Sequence, residues 1–393
     1  MEIKNVVITS ASRTPVGSFL GALASISAPK LAAIAIKDAL KKSGISGDMV
    51  DEVIMGNVLM GGVGQAPARQ ACIFAGLPEK VECMTIHKVC GSGLKAVMVA
   101  AQAIALGDAD IIVAGGMENM SAAPYILERA REGYRLGNGE LIDLMIKDGL
   151  WDVYNNIHMG NCAEACAKKF SITRQQQDEY AIESYKRALN AIEQGLFKDE
   201  IIPVEIAGKK GITIVSEDEE PKKVIFDKIP TLKPAFDKDG TITAANASKI
   251  NDGAAAIVVM SEDKAKELNI KPMVMIKSQC AAARAPIEFP FAPIDAVRKL
   301  MKKINMKISD IDLWEINEAF SSVALGALKE LELDHSKVNV NGGAVAIGHP
   351  IGASGARILT TLLYAMKKRN AKYGLATLCI GGGEAVAMVI ENI

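Results

Sequence analysis

The sequence predicts a layered α/β protein made of two similar units with a segment inserted between them. Short β-branched runs alternate with helical patterns along most of the chain, as βαβ units require. A weak internal repeat pairs VCGSGLKAVMVAAQAIALGDADIIVAGGMEN with HPIGASGARILTTLLYAMKKRNAKYGLATLCIGGGEA. The alternation then breaks between about Met120 and Ala247. A chain of 393 residues is long for one core, so two or three domains are expected, and the 49% apolar content supplies their interiors.

In chain order, strands are predicted over Val6–Thr9, Glu52–Asn57, Asp110–Ala114, Ala255–Met260, Val274–Lys277, Asp312–Ile316 and Leu375–Cys379. Helices are predicted over Lys30–Lys42, Pro67–Ala75, Leu94–Leu106, Asp295–Lys303, Ser321–Leu331 and Ala356–Lys368. Within the insertion, Met159–Lys169 reads as a helix. A stronger one runs from Arg174 to Gln194, with Thr173 as N-cap, Gln176 completing a capping box and Gly195 ending it. The run Glu217–Glu220 reads as a solvated turn.

Net charge is −1 with no basic block, which gives no reason to expect a nucleic-acid partner. No stretch is expected to span a membrane. The N-terminus enters a strand almost at once, without a signal or transit pattern, and the seven cysteines form no disulfide framework; a cytoplasmic location is expected. Cys162 and Cys166 lie four apart on a helix. Without a second ligand pair they read as packed thiols, and no metal is expected.

Four residues carry candidate chemistry. Cys90 precedes Gly91-Ser92-Gly93 and a helical run. A thiol there meets unpaired N–H groups and the positive helix end, which favour thiolate; the alternative is a small buried cysteine at a tight turn. His349, one of four histidines, sits among glycines in GGAVAIGHPIGASG. It reads as a base or an enolate-oxygen donor, or as a histidine satisfied by loop carbonyls. Cys379 ends a strand before Gly381-Gly382-Gly383: a proton shuttle beside amides able to hold an oxyanion, or a plain strand cysteine. Asn317, in NEAF, reads as a water holder, a helix N-cap, or both. The repeat would bring Cys90, His349 and Cys379 into one cleft.

KVCGSGLKA, TAANAS…NDGAAA, NEAF, GGAVAIGHPIGASGAR and CIGGG occur in the order and spacing of the thiolase family, which the chain resembles from Ser10 to its C-terminus. The resemblance implies two thiolase-type domains in a five-layered α/β/α/β/α core, residues 1–119 with 248–270 and residues 271–393. Residues 120–247 would be a loop domain that covers coenzyme A and assembles a homotetramer. It implies a reversible Claisen condensation of two acetyl-CoA into acetoacetyl-CoA and CoA. These thioesters would be substrates, with no further cofactor. Cys90 would carry the acyl group, His349 would activate it, and Cys379 would move the α-proton. Asn317 would hold a water, and the amides of Cys90 and Gly381 would hold the oxyanion. His158 and Met159 resemble the short-chain signature. Ser248 would contact pantetheine, Phe236, Ala319 and Phe320 would line its tunnel, and Lys222 would lie near the nucleotide.

Some positions depart from the family pattern. His87 replaces a frequent Asn. Lys249 replaces a small residue, with phosphate attraction or a place on the rim as its readings. Phe289-Pro290 resembles mitochondrial acetoacetyl-type enzymes, some of which accept a 2-methyl branch and respond to potassium, but Pro221 stands where that potassium site has a tyrosine. The competing readings are a broader-chain degradative 3-ketoacyl-CoA thiolase, a decarboxylating ketoacyl synthase, a hydroxymethylglutaryl synthase and a silent lipid carrier. Cys379 in CIGGG disfavours the synthases, and the presence of Cys90 and His349 disfavours the carrier.

Overall fold

The computed structural model describes residues 3–209 and 211–393. The first unit comprises β1 (Val6–Arg13), β2 (Gly17–Ser18), α1 (Ala28–Ser43), β3 (Glu52–Gly56), α2 (Pro67–Phe74), β4 (Glu82–Ile86), α3 (Ser92–Leu106) and β5 (Ile111–Asn119). The insertion follows. It holds the ribbons β6 (Tyr125–Leu127) with β7 (Leu141–Asp143) and β8 (Trp151–Asp152) with β9 (Ile157–His158), then helices α4 (Met159–Lys169) and α5 (Arg174–Glu193), and a third ribbon of β10 (Val204–Gly208) with β11 (Gly211–Val215). The chain returns to the first unit through β12 (Asn251–Ser261) and α6 (Glu262–Glu267). The second unit comprises β13 (Val274–Ala283), α7 (Ala292–Ile304), β14 (Leu313–Ile316), α8 (Ser321–Glu330), α9 (Ala344–Ile347), α10 (Ser354–Arg369), β15 (Tyr373–Ile380) and β16 (Glu384–Asn392).

The main sheet runs β14-β15-β16-β13-β1-β12-β5-β3-β4. Its two halves meet at a narrow seam, where β1 pairs with β13 only at Val7↔Met275 and Ile8↔Val274. Helices α3 and α10 lie between the halves in one shared apolar core that includes Leu94, Ile104, Leu359 and Leu378. Outside one half, α1 and α2 pack over Val53, Met55 and Val113. Outside the other, α7 and α8 pack over Trp314, Leu375 and Val389. That gives five layers. Helices α3 and α10 cross with almost no side chain between them: a Cβ on Gly93 would stand 2.7 Å from Ala356 N, and one on Gly355 2.3 Å from Leu94 N. The close crossing sets the N-terminal ends of both helices side by side.

Several expectations need correction. The window Val89–Leu106 is long and apolar enough to cross a membrane by composition, yet it comprises the Cys90 turn and α3, the helix at the centre of the core. Strands β4 and β16 were unforeseen. Asn317 caps no helix, because α8 begins at Ser321 with Phe320 as its N-cap. The run Glu217–Glu220 is anchored rather than solvated. Buried Asp218 accepts two bonds from Arg13, at 2.7 and 2.9 Å, while Arg13 Nε reaches Glu200 at 2.7 Å. A buried guanidinium needs such partners, and this one ties the insertion to β1. The Thr173 capping box forms as predicted. Cys162 and Cys166 are buried helix-packing thiols, and among the described residues no group of three or more His, Cys, Asp or Glu gathers as a metal site.

Candidate active site

Two turns at the paired helix ends build the site. In the first, Val89 holds φ +44°, a costly conformation for a β-branched residue. Hydrogen bonds hold it there: Gly91 N to Lys88 O at 3.0 Å, Ser92 N to Val89 O at 3.1 Å, Ser92 Oγ to Val89 O at 2.7 Å, and Lys88 N to Ser92 Oγ at 2.8 Å. At Gly91 a Cβ would fall 2.4 Å from Ile380 Cδ1, so any side chain there would have to displace that buried isoleucine. The strained turn presents the Cys90 thiol to a cavity of about 200 Å³. Backbone amides of Gly381 and of Cys90 itself point at the sulfur. Burial nevertheless dominates and pushes the thiol up to about 11. The expectation of a ready thiolate is therefore corrected: Cys90 is a thiol at neutral pH and requires a base.

The second turn carries His349. Gly348, at φ +117°, swings the chain so that His349 N donates to Asn251 Oδ1 at 2.9 Å. The ring Nδ1 lies 2.6 Å from Ser354 Oγ, and that hydroxyl donates to Pro350 O at 2.9 Å. Ser354 has one hydrogen, already given to Pro350, so Nδ1 must be the donor and Nε2 keeps its lone pair. Nε2 is buried without a protein partner. Burial and the neighbouring Arg357 push the imidazole down to about 3, so it is neutral and able to accept a proton.

Asn317 follows β14, with its backbone N bonded to Thr377 O at 3.0 Å; both polar atoms of its buried side chain lack protein partners. Next to it, Glu318 is fully committed. It accepts from Tyr180 at 2.9 Å, Ser184 at 2.8 Å, Asn339 at 2.8 Å and Val345 N at 3.0 Å, and so links α5 to the His349 turn. Cys379 is fully buried near the end of β15 and packs with Met159, Phe289, Ala319 and Phe320. Burial, then the charge of Cys90, raises it well above the usual thiol range.

Cys90, His349 and Gly381 line the cavity together with His158, Met159, Phe236, Ser248, Phe289, Ala319 and Phe320. His158 caps α4 through Nδ1, which accepts from Gly160 N at 3.0 Å, and its ring stacks on Phe236 at 4.8 Å. Phe236 meets Phe320 edge-on at 6.0 Å. Gly160 permits this, since a Cβ there would lie 2.2 Å from the Phe236 ring. Lys222 is not brought in: it is exposed and paired with Glu217, while Lys223 and Lys228 line a neighbouring groove. Lys249 is not on a free rim; its ammonium is bound to backbone carbonyls. His87 is exposed, with Nδ1 accepting from Val89 N at 3.3 Å. Sequence reasoning missed Met120, Leu150 and Ile351 on the cavity wall, apolar residues with no local signature.

The thiolase N-terminal domain model matches residues 6–263 and the thiolase C-terminal domain model residues 270–392. The chain is 55% identical over 390 residues to the acetyl-CoA acetyltransferase of Cupriavidus necator, covering 99% of each protein. It is 53% identical over 393 residues to the mitochondrial acetyl-CoA acetyltransferase of Homo sapiens, covering all of this chain and 91% of that one. Among solved structures, that of the Bacillus anthracis acetyl-CoA acetyltransferase superposes with a TM-score of 0.98 at 43% identity, covering all of both chains. Acat5 thiolase from Ascaris suum, in complex with coenzyme A, superposes with a TM-score of 0.94 at 46% identity, covering 99% of this chain and 100% of that one. The chain belongs to the thiolase family.

Proposed function

We infer that the chain is an acetyl-CoA C-acetyltransferase that joins two acetyl-CoA into acetoacetyl-CoA and CoA, and runs the reverse cleavage, through acetyl-Cys90. The observation that carries this is the juxtaposition in one small apolar cavity of a buried thiol, an unpartnered imidazole nitrogen and an amide aimed at the sulfur. His349 Nε2 takes the Cys90 proton as sulfur attacks the thioester carbonyl. The amides of Cys90 and Gly381 hold the resulting oxyanion. CoA leaves with the proton from His349. With CoA gone, the Cys379 proton passes to His349 Nε2, and the Cys379 thiolate takes a C2 proton from a second acetyl-CoA. The enolate oxygen is held by the His349 imidazolium and a water on Asn317, and the enolate carbon attacks acetyl-Cys90. Cys90 is expelled as a thiolate and takes the proton from His349, so both cysteines end as thiols and atoms and charge return to the start. Burial suits Cys379 to this step, because a raised thiol gives a strongly basic thiolate.

Coenzyme A thioesters are the partners in this reading, and no other cofactor takes part. His158, Met159, Phe236, Phe289, Ala319 and Phe320 enclose the acyl and pantetheine arm, and Ser248 contacts pantetheine. Residues 120–247 act as the cover and assembly domain between the two thiolase units. A homotetramer fits the apolar Tyr125, Leu127 and Leu141 exposed on ribbon β6–β7, and a cytoplasmic location fits the seven free cysteines.

The test is thiolysis of graded substrates. Depth beyond the reacting carbon and width beside it are separate demands. Acetoacetyl-CoA is the expected good substrate, 2-methylacetoacetyl-CoA a measurable but poorer one, and 3-ketooctanoyl-CoA nearly inert. Overpacking of ~1–3 kcal/mol corresponds to a loss of roughly ten- to hundredfold in kcat/KM. Equal values for the four- and eight-carbon chains would instead make this a broad degradative thiolase.

A further inference from the structure

Lys249 lines the cavity with a charged side chain that the reaction does not use. It is half-buried and lines two spaces at once, the active cavity and an outer groove of about 240 Å³ that also borders Tyr185, Glu220, Lys223 and Lys228. Its Nζ donates to Ala247 O at 2.8 Å and Val345 O at 3.3 Å, and lies 5.6 Å from the centre of the Tyr185 ring. An ammonium has three donors and no acceptor, so carbonyl oxygens and an aromatic face are what it needs when taken from water. The charges of Glu220 and Glu318 favour it further; burial lowers it to about 8, which leaves it mostly protonated at pH 7.

The two carbonyls belong to different parts of the machinery. Ala247 precedes Ser248, whose N–H donates to Ala319 O at 3.0 Å on the cavity wall. Val345 lies in α9, which runs through Ile347 and Gly348 directly into His349. Tyr185 belongs to α5 of the insertion. The ammonium is thus the joint among three segments: the turn that would hold pantetheine, the turn that carries the base, and the covering helix. Backbone carbonyls in this arrangement are the ligands that dehydrate a large monovalent cation. A cation delivered on a side chain occupies them without the entropic cost of capturing a free ion.

We propose that the Lys249 ammonium is a built-in monovalent cation that clamps the Ser248 turn to the His349 turn, so that this enzyme takes no free cation at that position. The proposal rests on the acetyltransferase reading. If the wild-type chain fails to cleave acetoacetyl-CoA with CoA, that reading fails first; everything below presumes that it does cleave it.

The experiment compares sodium, potassium and ammonium chloride at equal ionic strength for wild type, Lys249→Ala and Lys249→Met. Wild type is expected to show the same kcat/KM in all three salts. Lys249→Ala empties the carbonyl site and is expected to lose roughly ten- to hundredfold in kcat/KM, the effect of losing charged hydrogen bonds, mostly as a higher KM. Ammonium or potassium should restore most of that loss and sodium little, which no general loss of stability would mimic. Lys249→Met fills the space without charge and should show the loss without the rescue. Several-fold potassium activation of wild type would overturn the proposal and needs no variant. So would a Lys249→Ala or Lys249→Met enzyme with wild-type kcat/KM, or a Lys249→Ala loss that no cation relieves.

Discussion

The turns that open α3 and α10 are built alike and used differently. Each places a serine at the first helical residue, Ser92 or Ser354, and each serine hydroxyl donates back to a carbonyl of its own turn. The second bond of each hydroxyl separates them. Ser92 accepts from Lys88 N and so fastens a strained backbone, whereas Ser354 is bound by the ring of His349. One serine holds a chain conformation that presents a sulfur. The other selects a tautomer that leaves a lone pair free. A repeated scaffold can therefore supply both nucleophile and base, because the helix ends fix position while single polar contacts fix chemistry. The two thiols differ in the same way. Cys90 keeps 9% exposure and borders the cavity, whereas Cys379 is fully buried behind it.

The largest expected effect concerns the thiols. Cys90→Ala should lower kcat for both directions by on the order of 10⁴ or more, as removal of a covalent nucleophile does. Cys379→Ser should also lose several orders of magnitude in condensation, but at a different step.

The serine pair gives an intermediate effect and a sharper contrast. Ser354→Ala frees the His349 ring to adopt the wrong tautomer, and kcat should fall roughly ten- to hundredfold with little change in melting temperature. Ser92→Ala should instead cost about 1–2 kcal/mol of stability by releasing the Val89 turn, with kcat/KM of the folded enzyme less affected. If Ser92→Ala proved the catalytic lesion and Ser354→Ala the structural one, the contrast between the turns would be wrong.

The smallest effect concerns reagent chemistry. Cys83, half-exposed on β4 beside Arg69, is lowered to about 7 by contact with Cys72 and Arg69. At neutral pH iodoacetamide should label it ahead of Cys90 without loss of activity. Labelling of Cys90 should rise about tenfold per pH unit toward its value near 11, since the thiolate fraction grows as pH approaches the pKa from below, while Cys83 should level off above about 7. Mass spectrometry over a pH series measures both rates. His349, lowered to about 3, should give kcat/KM no acid limb between pH 5 and 7.

The motifs made the site's residues legible, because Cys90, His349 and the CIGGG turn each sit in a short pattern of small residues. Their environments were not legible. A helix N-terminus favours thiolate locally, but burial in the core shared with Met120, Ile351 and Ile380, which arrive from distant segments, decides whether Cys90 ionises. Charged runs misled for a similar reason: Asp218 looked solvated because its partner Arg13 lies 205 residues away. The βαβ alternation gave the layers, whereas β16 was missed because AVAMVI, buried on both faces, has no alternation to read.

The central claim is that Cys90 takes the acyl group while Cys379 handles only the proton on carbon. The most direct measurement is mass spectrometry of Cys379→Ser after mixing with acetyl-CoA, quenched and digested. The account predicts near-stoichiometric acetyl on the peptide carrying Cys90, with acetoacetyl-CoA formation slowed by several orders of magnitude. Acetyl on another cysteine with Cys90 free, or near-normal condensation by this variant, would contradict it.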